Sequence, residues 1–297
     1  MTSTGPLVSI GLPIFNAGDQ TRRIIENVLA QEYVNFELII SDNASTDNTW
    51  NICLEYAAQD KRIRLFQNDF NMGSLYNFQH VFELATGEYF AWVAHDDSWE
   101  TTYIEACVRK MEIEPQAVLC YTNQIHIHTD TGIHEQVIYT FDGTQATFGK
   151  RVKALLSPRL TPYSIIYGVF RREPIGHAFP IPSSSVPDIH FLIKASRLGT
   201  FVHVPQLLLT RTITVKNFRQ QMKRVLDRDF ILPQPIVYIG FWLRLTVFAW
   251  TEGQGIVEKI RIATAVSRYI GYVIIIVAIP NRIRPWVRSL VRRNTTV

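Results

Sequence analysis

The chain has 297 residues, a net charge of +4 and the balance of apolar and charged residues usual for a globular protein. It contains no heptad array, low-complexity tract or fixed-period repeat, which excludes fibrous, coiled-coil and solenoid proteins. The length fits one large α/β domain with an appendage.

Short apolar runs alternate with segments of helical periodicity through the first hundred residues. This alternation predicts an α/β fold with a doubly wound, mostly parallel sheet and helices on both faces. The predicted strands are at 7–13, 36–41, 62–66 and 88–94, with helices at 21–31, after a capping Asp47, and from a capping Ser74 to Leu84.

The second half of the chain is less regular. Residues 132–182 are rich in Gly, Pro and aromatic residues, and we expect strands and loops on the acceptor side there. The composition changes after Lys216, so we place a catalytic domain at 1–215 and a helical tail at 216–297. The other predicted elements are helices at 101–114 and 188–197 and strands at 118–128, 201–204 and 207–212.

Acidic residues follow two of the predicted strands. Asp42 ends the run at 36–41, and Asp96 and Asp97 follow the run at 88–94. Ligands bind beyond the carboxyl ends of the strands in open α/β sheets. Because carboxylates also bind hard cations, this edge is predicted to hold a nucleotide together with a divalent metal ion.

Five motifs occur in order: VSIGLPIFN (8–16), LIISDNASTD (38–47), NMG followed by Asn77 (71–77), GEYFAWVAHDD (87–97) and PDIHFL (187–192). One such motif would be weak evidence, but five in order are specific. Over about residues 7–212 the chain resembles the family 2 glycosyltransferases, nucleotide-sugar enzymes of the GT-A fold.

The resemblance implies a donor site. In it, Asp42 accepts a hydrogen bond from the nucleotide base, for which a carboxylate supplies fixed acceptors. Phe15 lies against the base, a stacking contact worth about 1–3 kcal/mol. Each of these assignments has a structural alternative. They are Asp42 as a turn residue, Phe15 as a core aromatic, and helix capping by Ser74 as the explanation of the NMG motif. The other implied donor-binding residues are Pro13, Asn16, Asn71, Gly73, Asn77, His95 and Asp97.

The resemblance also implies a metal ion. Aligning residues 94–96 on the DxD motif of the family makes Asp96 the ligand of Mg2+ or Mn2+, with Asp97 beside it. A hard cation there neutralises the charge that builds up on the departing diphosphate. Ala94 replaces the first Asp of the motif, so one ligand or ribose contact is missing, and His95 could partly substitute for it.

Asp188 resembles the general base of the family, an acid that opens a late helix. An inverting displacement needs a carboxylate opposite the leaving group to take the proton of the acceptor hydroxyl. The helix N-terminus is expected to keep that carboxylate ionised. The alternative is an ordinary N-cap, and Pro187 stands where the family usually has another acid.

These motifs predict a metal-dependent inverting glycosyltransferase that moves a sugar from a nucleotide-diphosphate sugar to a glycan or lipid-linked acceptor, as in polysaccharide biosynthesis. A nucleotidyltransferase is one alternative, although residues 11–18 lack the expected basic triphosphate loop. A second alternative is a nucleotide-binding scaffold at the membrane that has no catalytic activity. The missing acid at Ala94 favours this alternative. No dinucleotide or P-loop motif occurs. His126, His128 and His134 lack a further zinc-ligand set.

The cysteines Cys53, Cys107 and Cys120 fall in periodic apolar segments without CxxC spacing. We expect packed thiols and a reducing, cytoplasmic compartment. The N-terminus has no basic region before its first apolar run, so we expect no secretory signal.

The end of the chain is basic. From Ile256 to Val297 there are eight Lys or Arg residues and one acid, which leaves the first 255 residues mildly acidic. Residues 281–294 place apolar side chains on one helical side and arginines largely elsewhere, a pattern typical of a peripheral helix on an anionic membrane. A helix packed on its own domain or on another subunit is the alternative. The apolar runs at 241–250 and 269–280 are too short to span a bilayer. No nucleic-acid partner is expected, and an oligomer is compatible with the pattern.

Overall fold

A computed structural model describes residues 5–139, 143–145, 147–156, 162–181, 187–213 and 255–278. Its strands are β1 (Val8–Ile14), β2 (Phe36–Asp42), β3 (Ile63–Gln67), β4 (Tyr89–Trp92), β5 (Ser98–Trp99), β6 (Ala117–His128), β7 (Ile133–Val137), β8 (Val169–Arg171) and β9 (Thr200–Ile213). Its helices are α1 (Gln20–Leu29), α2 (Thr49–Ala57), α3 (Ser74–Glu83), α4 (Tyr103–Ile113), α5 (Phe148–Leu155), α6 (Arg172–Gly176), α7 (Pro187–Leu198), α8 (Ile256–Ala278) and a 3-10 helix (Pro162–Tyr167).

One nine-stranded sheet runs through the molecule. The strands β3, β2, β1 and β4 are parallel neighbours, so their carboxyl ends share an edge. At that edge Ile14 pairs with Asp42, and Asp42 pairs with Gln67. Beyond β4 the sheet continues through the antiparallel strand β8 to the parallel pair β6 and β9. The predicted GT-A type α/β fold is confirmed, and the antiparallel β8 was not part of the prediction.

Two apolar cores cover the two faces of the sheet. The helices α1, α2 and α4 bury their apolar side chains on one face, and α3, α5 and α7 bury theirs on the other. Residues of β1 alternate between the faces, as the two-residue period of a strand requires. On the α3 side, a Cβ at Gly11 would lie 2.7 Å from Val81, so this glycine permits the close approach of α3.

Two helix starts differ by one residue from the sequence predictions, in opposite directions. Gly73, with φ of +87°, precedes α3, and Ser74 is the first helical residue instead of the cap. Asn48 precedes α2, while Asp47 accepts hydrogen bonds from the Thr49 and Gly18 amides, both at 3.0 Å. These loop hydrogen bonds, with that of the Gly73 amide to Asn71 Oδ1, lie outside the helices.

Two further elements differ from the sequence predictions, and the structure also identifies the buried side of α2. The segment expected to hold strands and loops contains the helix α5, whose Phe148, Val152 and Leu155 are buried. β9 is one strand where two were predicted. On α2 the buried residues include Ile52 and Cys53.

The helix α8 packs on the body of the protein. Its Ile262 and Val266 are buried in the same core as α5 and α7. Glu258 Oε1 accepts a hydrogen bond from the Gly149 amide, in the first turn of α5, at 2.9 Å. The predicted domain boundary at 216 and the basic segment 281–294 lie outside the described residues. Among the described helices, none combines the length and apolar character that crossing a membrane requires.

Candidate functional site

The loops after β1 and β2 are bound to each other at the carboxyl edge of the sheet. The Asn16 amide donates to Ser45 Oγ at 2.9 Å, and Asn16 Oδ1 accepts from the Thr46 amide at 2.8 Å. Pro13 is buried within β1, whereas Phe15 is 42% exposed. The core-aromatic alternative for Phe15 is therefore wrong, and its ring is exposed beyond the carboxyl end of β1.

Asp42 is completely buried and accepts several hydrogen bonds from its own surroundings. Its carboxylate accepts from the Ser45 amide at 3.2 Å, from Ser45 Oγ and from Gln67 Nε2 at 3.0 Å. A carboxylate has about four acceptor positions, so little capacity is left for a base N–H. The SDNASTD segment therefore does form the turn that was given as the alternative for Asp42. A nucleotide base would have to share the carboxylate of Asp42 with Gln67, an exposed residue whose side chain can move away.

Three residues of the NMG motif and the helix after it, Asn71, Gly73 and Asn77, hold the loop after β3. Asn77 is buried, accepts from Ser41 Oγ at 2.6 Å and donates to the Ser41 carbonyl at 2.8 Å. Asn71 Oδ1 accepts from the Gly73 amide at 2.9 Å. The positive φ of Gly73 is a conformation that glycine adopts without strain. In the structure these residues act on the shape of the loop.

Asp96 and Asp97 lie in a turn after β4, which the Asp97 amide closes on the Ala94 carbonyl at 3.2 Å. The side chain of Asp97 is fully buried and lies beside Arg211. Burial raises the pKa of Asp97 to about 7. Arg211 opposes this rise, the charge of Asp96 reinforces it, and hydrogen bonding from Arg211 and from the Thr212 backbone favours the charged form. Asp96 and His95 are half-buried in the same turn.

Arg211 and Tyr167 complete this part of the site, and sequence reasoning missed both. Arg211 Nε lies 3.5 Å from Asp97 Oδ1, and the guanidinium carbon lies 4.3 Å from the centroid of the Tyr167 ring. Tyr103 Oη donates to the Tyr167 carbonyl at 2.6 Å, which fixes the end of the 3-10 helix. The one available sequence signal was an arginine inside the apolar run of β9.

Asp188 lies in the first turn of α7, where its Oδ1 accepts from the Ile189 amide at 3.1 Å. Burial raises the pKa of Asp188 to about 6, although the helix amides and Arg211 favour the charged form. The helix amides act in the predicted direction, but desolvation is the larger effect on the pKa. A pKa near 6 suits a general base at neutral pH.

The phenol of Tyr167 lies within electrostatic range of acids from both halves of the chain. Burial raises the pKa of the Tyr167 phenol, Arg211 opposes this rise, and the negative charges of Asp97, Asp96 and Asp188 reinforce it. The positive charge of Arg211 also acts on both Asp97 and Asp188. Tyr167 and Arg211 therefore connect Asp188 electrostatically with the turn that carries Asp96 and Asp97.

The described residues contain no group of three or more metal-ligating side chains. Mg2+ is commonly held by one or two carboxylates, with substrate phosphates and water as its other ligands. The buried carboxylate of Asp97 and the half-buried Asp96 next to it fit a site of that kind.

The histidines do not form a metal centre within the described residues. His126 Nε2 lies 3.0 Å from Gln124 Oε1, and His128 Nε2 lies 3.5 Å from Glu135 Oε2. Burial lowers the pKa of His126 to about 4. The cysteines Cys53, Cys107 and Cys120 are free and buried, as predicted.

A mostly parallel sheet with carboxylates beyond the carboxyl ends of its strands is the architecture of a GT-A type α/β protein. The profile of Glycosyl transferase family 2 matches residues 9–178, which is more than half of the chain. The chain belongs to this family.

Curated relatives share part of this chain. It is 35% identical over 117 residues to the UDP-Glc:alpha-D-GlcNAc-diphosphoundecaprenol beta-1,3-glucosyltransferase WfaP of Escherichia coli, covering 39% of this chain and 45% of WfaP. It is 32% identical over 106 residues to the glycosyltransferase GlyG of Streptococcus pneumoniae, covering 36% and 35% of the two chains. The matches span less than half the length of these relatives.

Solved structures share the fold over nearly the whole chain. TarS of S. aureus in complex with UDP-GlcNAc aligns with a TM-score of 0.58 and 16% identity, covering 96% of this chain and 87% of that chain. The mannosyltransferase PcManGT of Pyrobaculum calidifontis, in complex with GDP-Man and Mn2+, aligns with a TM-score of 0.55 and 16% identity, covering 96% and 85%.

Proposed function

We propose that this protein is a metal-dependent inverting glycosyltransferase. The observation that carries the proposal is the cluster in which Arg211 lies against Asp97 and Tyr167. Asp96 and Asp188 are within electrostatic range of the same Tyr167 phenol. The exposed ring of Phe15 at the carboxyl edge of the sheet supports a nucleotide site there. The family membership of the chain supports the same chemistry.

The donor is a nucleotide-diphosphate sugar whose base lies at the β1 and β2 ends and whose diphosphate lies near the β4 turn. β2 and β4 flank β1, so their ends are two strand spacings, roughly 10 Å, apart. In this proposal Phe15 stacks on the base and Asp42 accepts from it. Pro13, Asn16, Asn71, Gly73 and Asn77 shape the loops around it, and His95 and Asp97 border the diphosphate. Solved neighbours contain UDP-GlcNAc or GDP-Man, which supports this donor class.

Mg2+ or Mn2+ would be held by Asp96, assisted by Asp97 and the donor diphosphate. When bound, the ion supplies charge neutralisation for the leaving nucleoside diphosphate. Arg211, which lies against Asp97, adds a positive charge beside the same region. Ala94 leaves the protein with few ligands of its own, so we expect the donor to contribute to the binding of the ion.

Asp188 is the proposed general base. It takes the proton of the acceptor hydroxyl, and the acceptor oxygen forms a bond to the anomeric carbon from the opposite side to the diphosphate. The bond between that carbon and the diphosphate oxygen breaks, and the nucleoside diphosphate leaves with the electron pair. The configuration at the anomeric carbon is inverted.

The acceptor is proposed to be a glycan or a lipid-linked glycan, as in polysaccharide biosynthesis. The name of the relative WfaP specifies a diphosphoundecaprenol acceptor. In this chain α8 exposes Ile256, Val257 and Ile260, and a basic segment follows it in the sequence. We propose that this end of the protein attaches peripherally to an anionic membrane from the cytoplasmic side.

Calorimetry with UDP or GDP in the presence of Mn2+ tests the proposal. The parent protein should bind one of the two in a metal-dependent manner, and Asp96→Ala should abolish the dependence on Mn2+. Asp19→Ala, which changes an exposed acid before α1, is the control and should leave binding unchanged. Absence of metal-dependent binding in the parent would contradict the proposal, and binding without any sugar transfer or donor hydrolysis would favour a non-catalytic scaffold.

A further inference from the structure

The side chain of Asn43 joins two loops at the donor edge of the sheet. Asn43 follows β2 directly and is 3% exposed. Its Oδ1 accepts from the Met72 amide and from Asn68 Nδ2, both at 2.9 Å. Its Nδ2 donates to Asn71 Oδ1 at 2.9 Å. One buried amide thus fixes three positions of the loop after β3.

The backbone of Asn43 adds a third loop to this junction. Its amide donates to the Ile14 carbonyl at the end of β1, at 2.9 Å. Asn43 is therefore bound to the ends of β1 and β3 while it continues β2. Phe15, which follows Ile14, and Met72 are both exposed beside this junction.

The hydrogen bonds determine how both amides are oriented. Reversing Asn43 would point its Nδ2 at the Met72 N–H, and reversing Asn71 would remove the acceptor of the Gly73 N–H. Position 43 therefore needs an acceptor on one side and a donor on the other. Asparagine supplies both, and aspartate of the same shape supplies only acceptors.

We propose that Asn43 is a positioning residue that orders the loop from Asn68 to Gly73 as a preformed wall of the donor cleft. The inference rests on the proposed function, since it assigns the loop to donor binding. Asn43 itself is buried beneath the loop and acts through Asn71 and Met72. A loop that is already ordered loses less conformational entropy when the nucleotide binds, so Asn43 contributes to donor affinity.

The isosteric substitution Asn43→Asp is the principal test, with amide hydrogen exchange as a measurement that needs no ligand. Aspartate can still accept from the Met72 amide but cannot donate to Asn71, whose side chain must reverse and release the Gly73 amide. We expect exchange at Gly73 to accelerate about tenfold, with Met72 still protected. In Asn43→Ala, which removes every side-chain bond, both amides should exchange faster.

Kinetics supply the second measurement. In metal-dependent hydrolysis or transfer with the nucleotide sugar that the parent uses, Asn43→Asp and Asn43→Ala should raise the donor KM about tenfold and leave kcat within about twofold. Asn51→Asp makes the same chemical change on the exposed side of α2 and should alter neither exchange nor KM.

Several outcomes would overturn the inference. Unchanged exchange at both Met72 and Gly73 in the two variants would show that Asn43 does not order the loop. Faster exchange with an unchanged donor KM would show that the loop is no part of the donor wall. A parent that binds neither UDP nor GDP contradicts the proposed function itself, and the exchange result then still decides whether Asn43 orders the loop.

Discussion

At the scale of single residues, desolvation outweighs local backbone effects at the acids of the site. Asp188 has helix amides and Arg211 in its favour, yet burial raises its pKa to about 6. Asp97 shows the same balance, with a pKa of about 7 beside Arg211. The free-energy penalty of desolvating a carboxylate is larger than the stabilisation that a few backbone dipoles provide. Such acids are typical of sites where they meet a ligand or a reacting proton.

The pH dependence of transfer should report Asp188. As a base it must be deprotonated, so kcat should fall as the pH drops through about 6 and should level off above it. Asp188→Asn should retain metal-dependent binding of UDP or GDP and lose transfer by about 100-fold or more, the contribution of a general base. Glu173→Gln, which alters an exposed acid, is the matched control. Normal turnover by Asp188→Asn would refute the assignment.

The raised pKa of Asp188 also predicts how the stability of the protein depends on pH. The folded-state pKa of Asp188 lies above its usual value, so the folded protein binds this proton more tightly than the unfolded chain. Ionisation therefore lowers stability as the pH rises through this range, and the loss is complete above about pH 6. Asp188→Asn should thus be no less stable than the parent at about pH 8, which separates a catalytic defect from a folding defect.

At the scale of elements, a buried glutamate ties the amino-terminal edge of the sheet together. Glu37 in β2 accepts from Ser9 Oγ at 2.5 Å, from the Thr86 amide at 2.8 Å and from Arg64 Nη1 at 2.6 Å. Burial alone would raise the pKa of Glu37, but these hydrogen bonds outweigh it and hold the pKa below its usual value. The loop between α3 and β4 is fixed to β1 and β2 in this way.

Glu37→Gln should destabilise the fold by about 1–3 kcal/mol at about pH 7, because the amide removes the charged partner of Arg64. The pKa of Glu37 is lowered in the folded state, so its contribution is present above the usual pKa of glutamate. It disappears as the pH falls through the folded-state value. Urea unfolding at about pH 7 and about pH 3 measures this. Glu55→Gln, from the exposed pair with Arg22, should change stability much less, and equal effects of the two substitutions would contradict the prediction.

At the scale of the whole molecule, α8 connects the body to the basic end of the chain. One side of α8 is buried on α5, through Ile262 and Val266, while Ile256, Val257 and Ile260 are exposed. A helix with an apolar exposed side, followed in the sequence by several arginines, suits a membrane interface. Because Glu258 also accepts a hydrogen bond from the first turn of α5, the helix with the exposed apolar side and the body of the protein are in direct contact.

Vesicle co-sedimentation tests the membrane proposal. The full chain should bind phosphatidylglycerol vesicles more tightly than phosphatidylcholine vesicles. Arg292→Gln with Arg293→Gln should weaken that binding roughly tenfold or more, since each basic residue near the surface contributes about 1 kcal/mol. Arg23→Gln with Arg109→Gln removes the same charge from exposed helices of the body as a control. Equal losses in the two double variants would indicate a net-charge effect and contradict a membrane-binding tail.

The sequence alone determined most strands, most helices and the edge of the sheet where Asp42, Asp96 and Asp97 lie. These features depend on local periodicity, which neighbouring residues encode. The short β5 and the antiparallel β8 were not predicted. Helix starts were predicted less well, because hydrogen bonds within the loops decided them, as between the Gly73 amide and Asn71 Oδ1.

The tertiary structure decided which groups meet and which charge each prefers. Arg211 and Tyr167 join the acids only when β9 and the 3-10 helix fold beside the β4 turn. The raised pKa of Asp188 follows from desolvation in the folded chain, and the proposed role of Asn43 follows from loops that three strands bring together. Desolvation and hydrogen-bond partners are properties of the assembled surroundings, so no pattern of neighbouring residues could supply them.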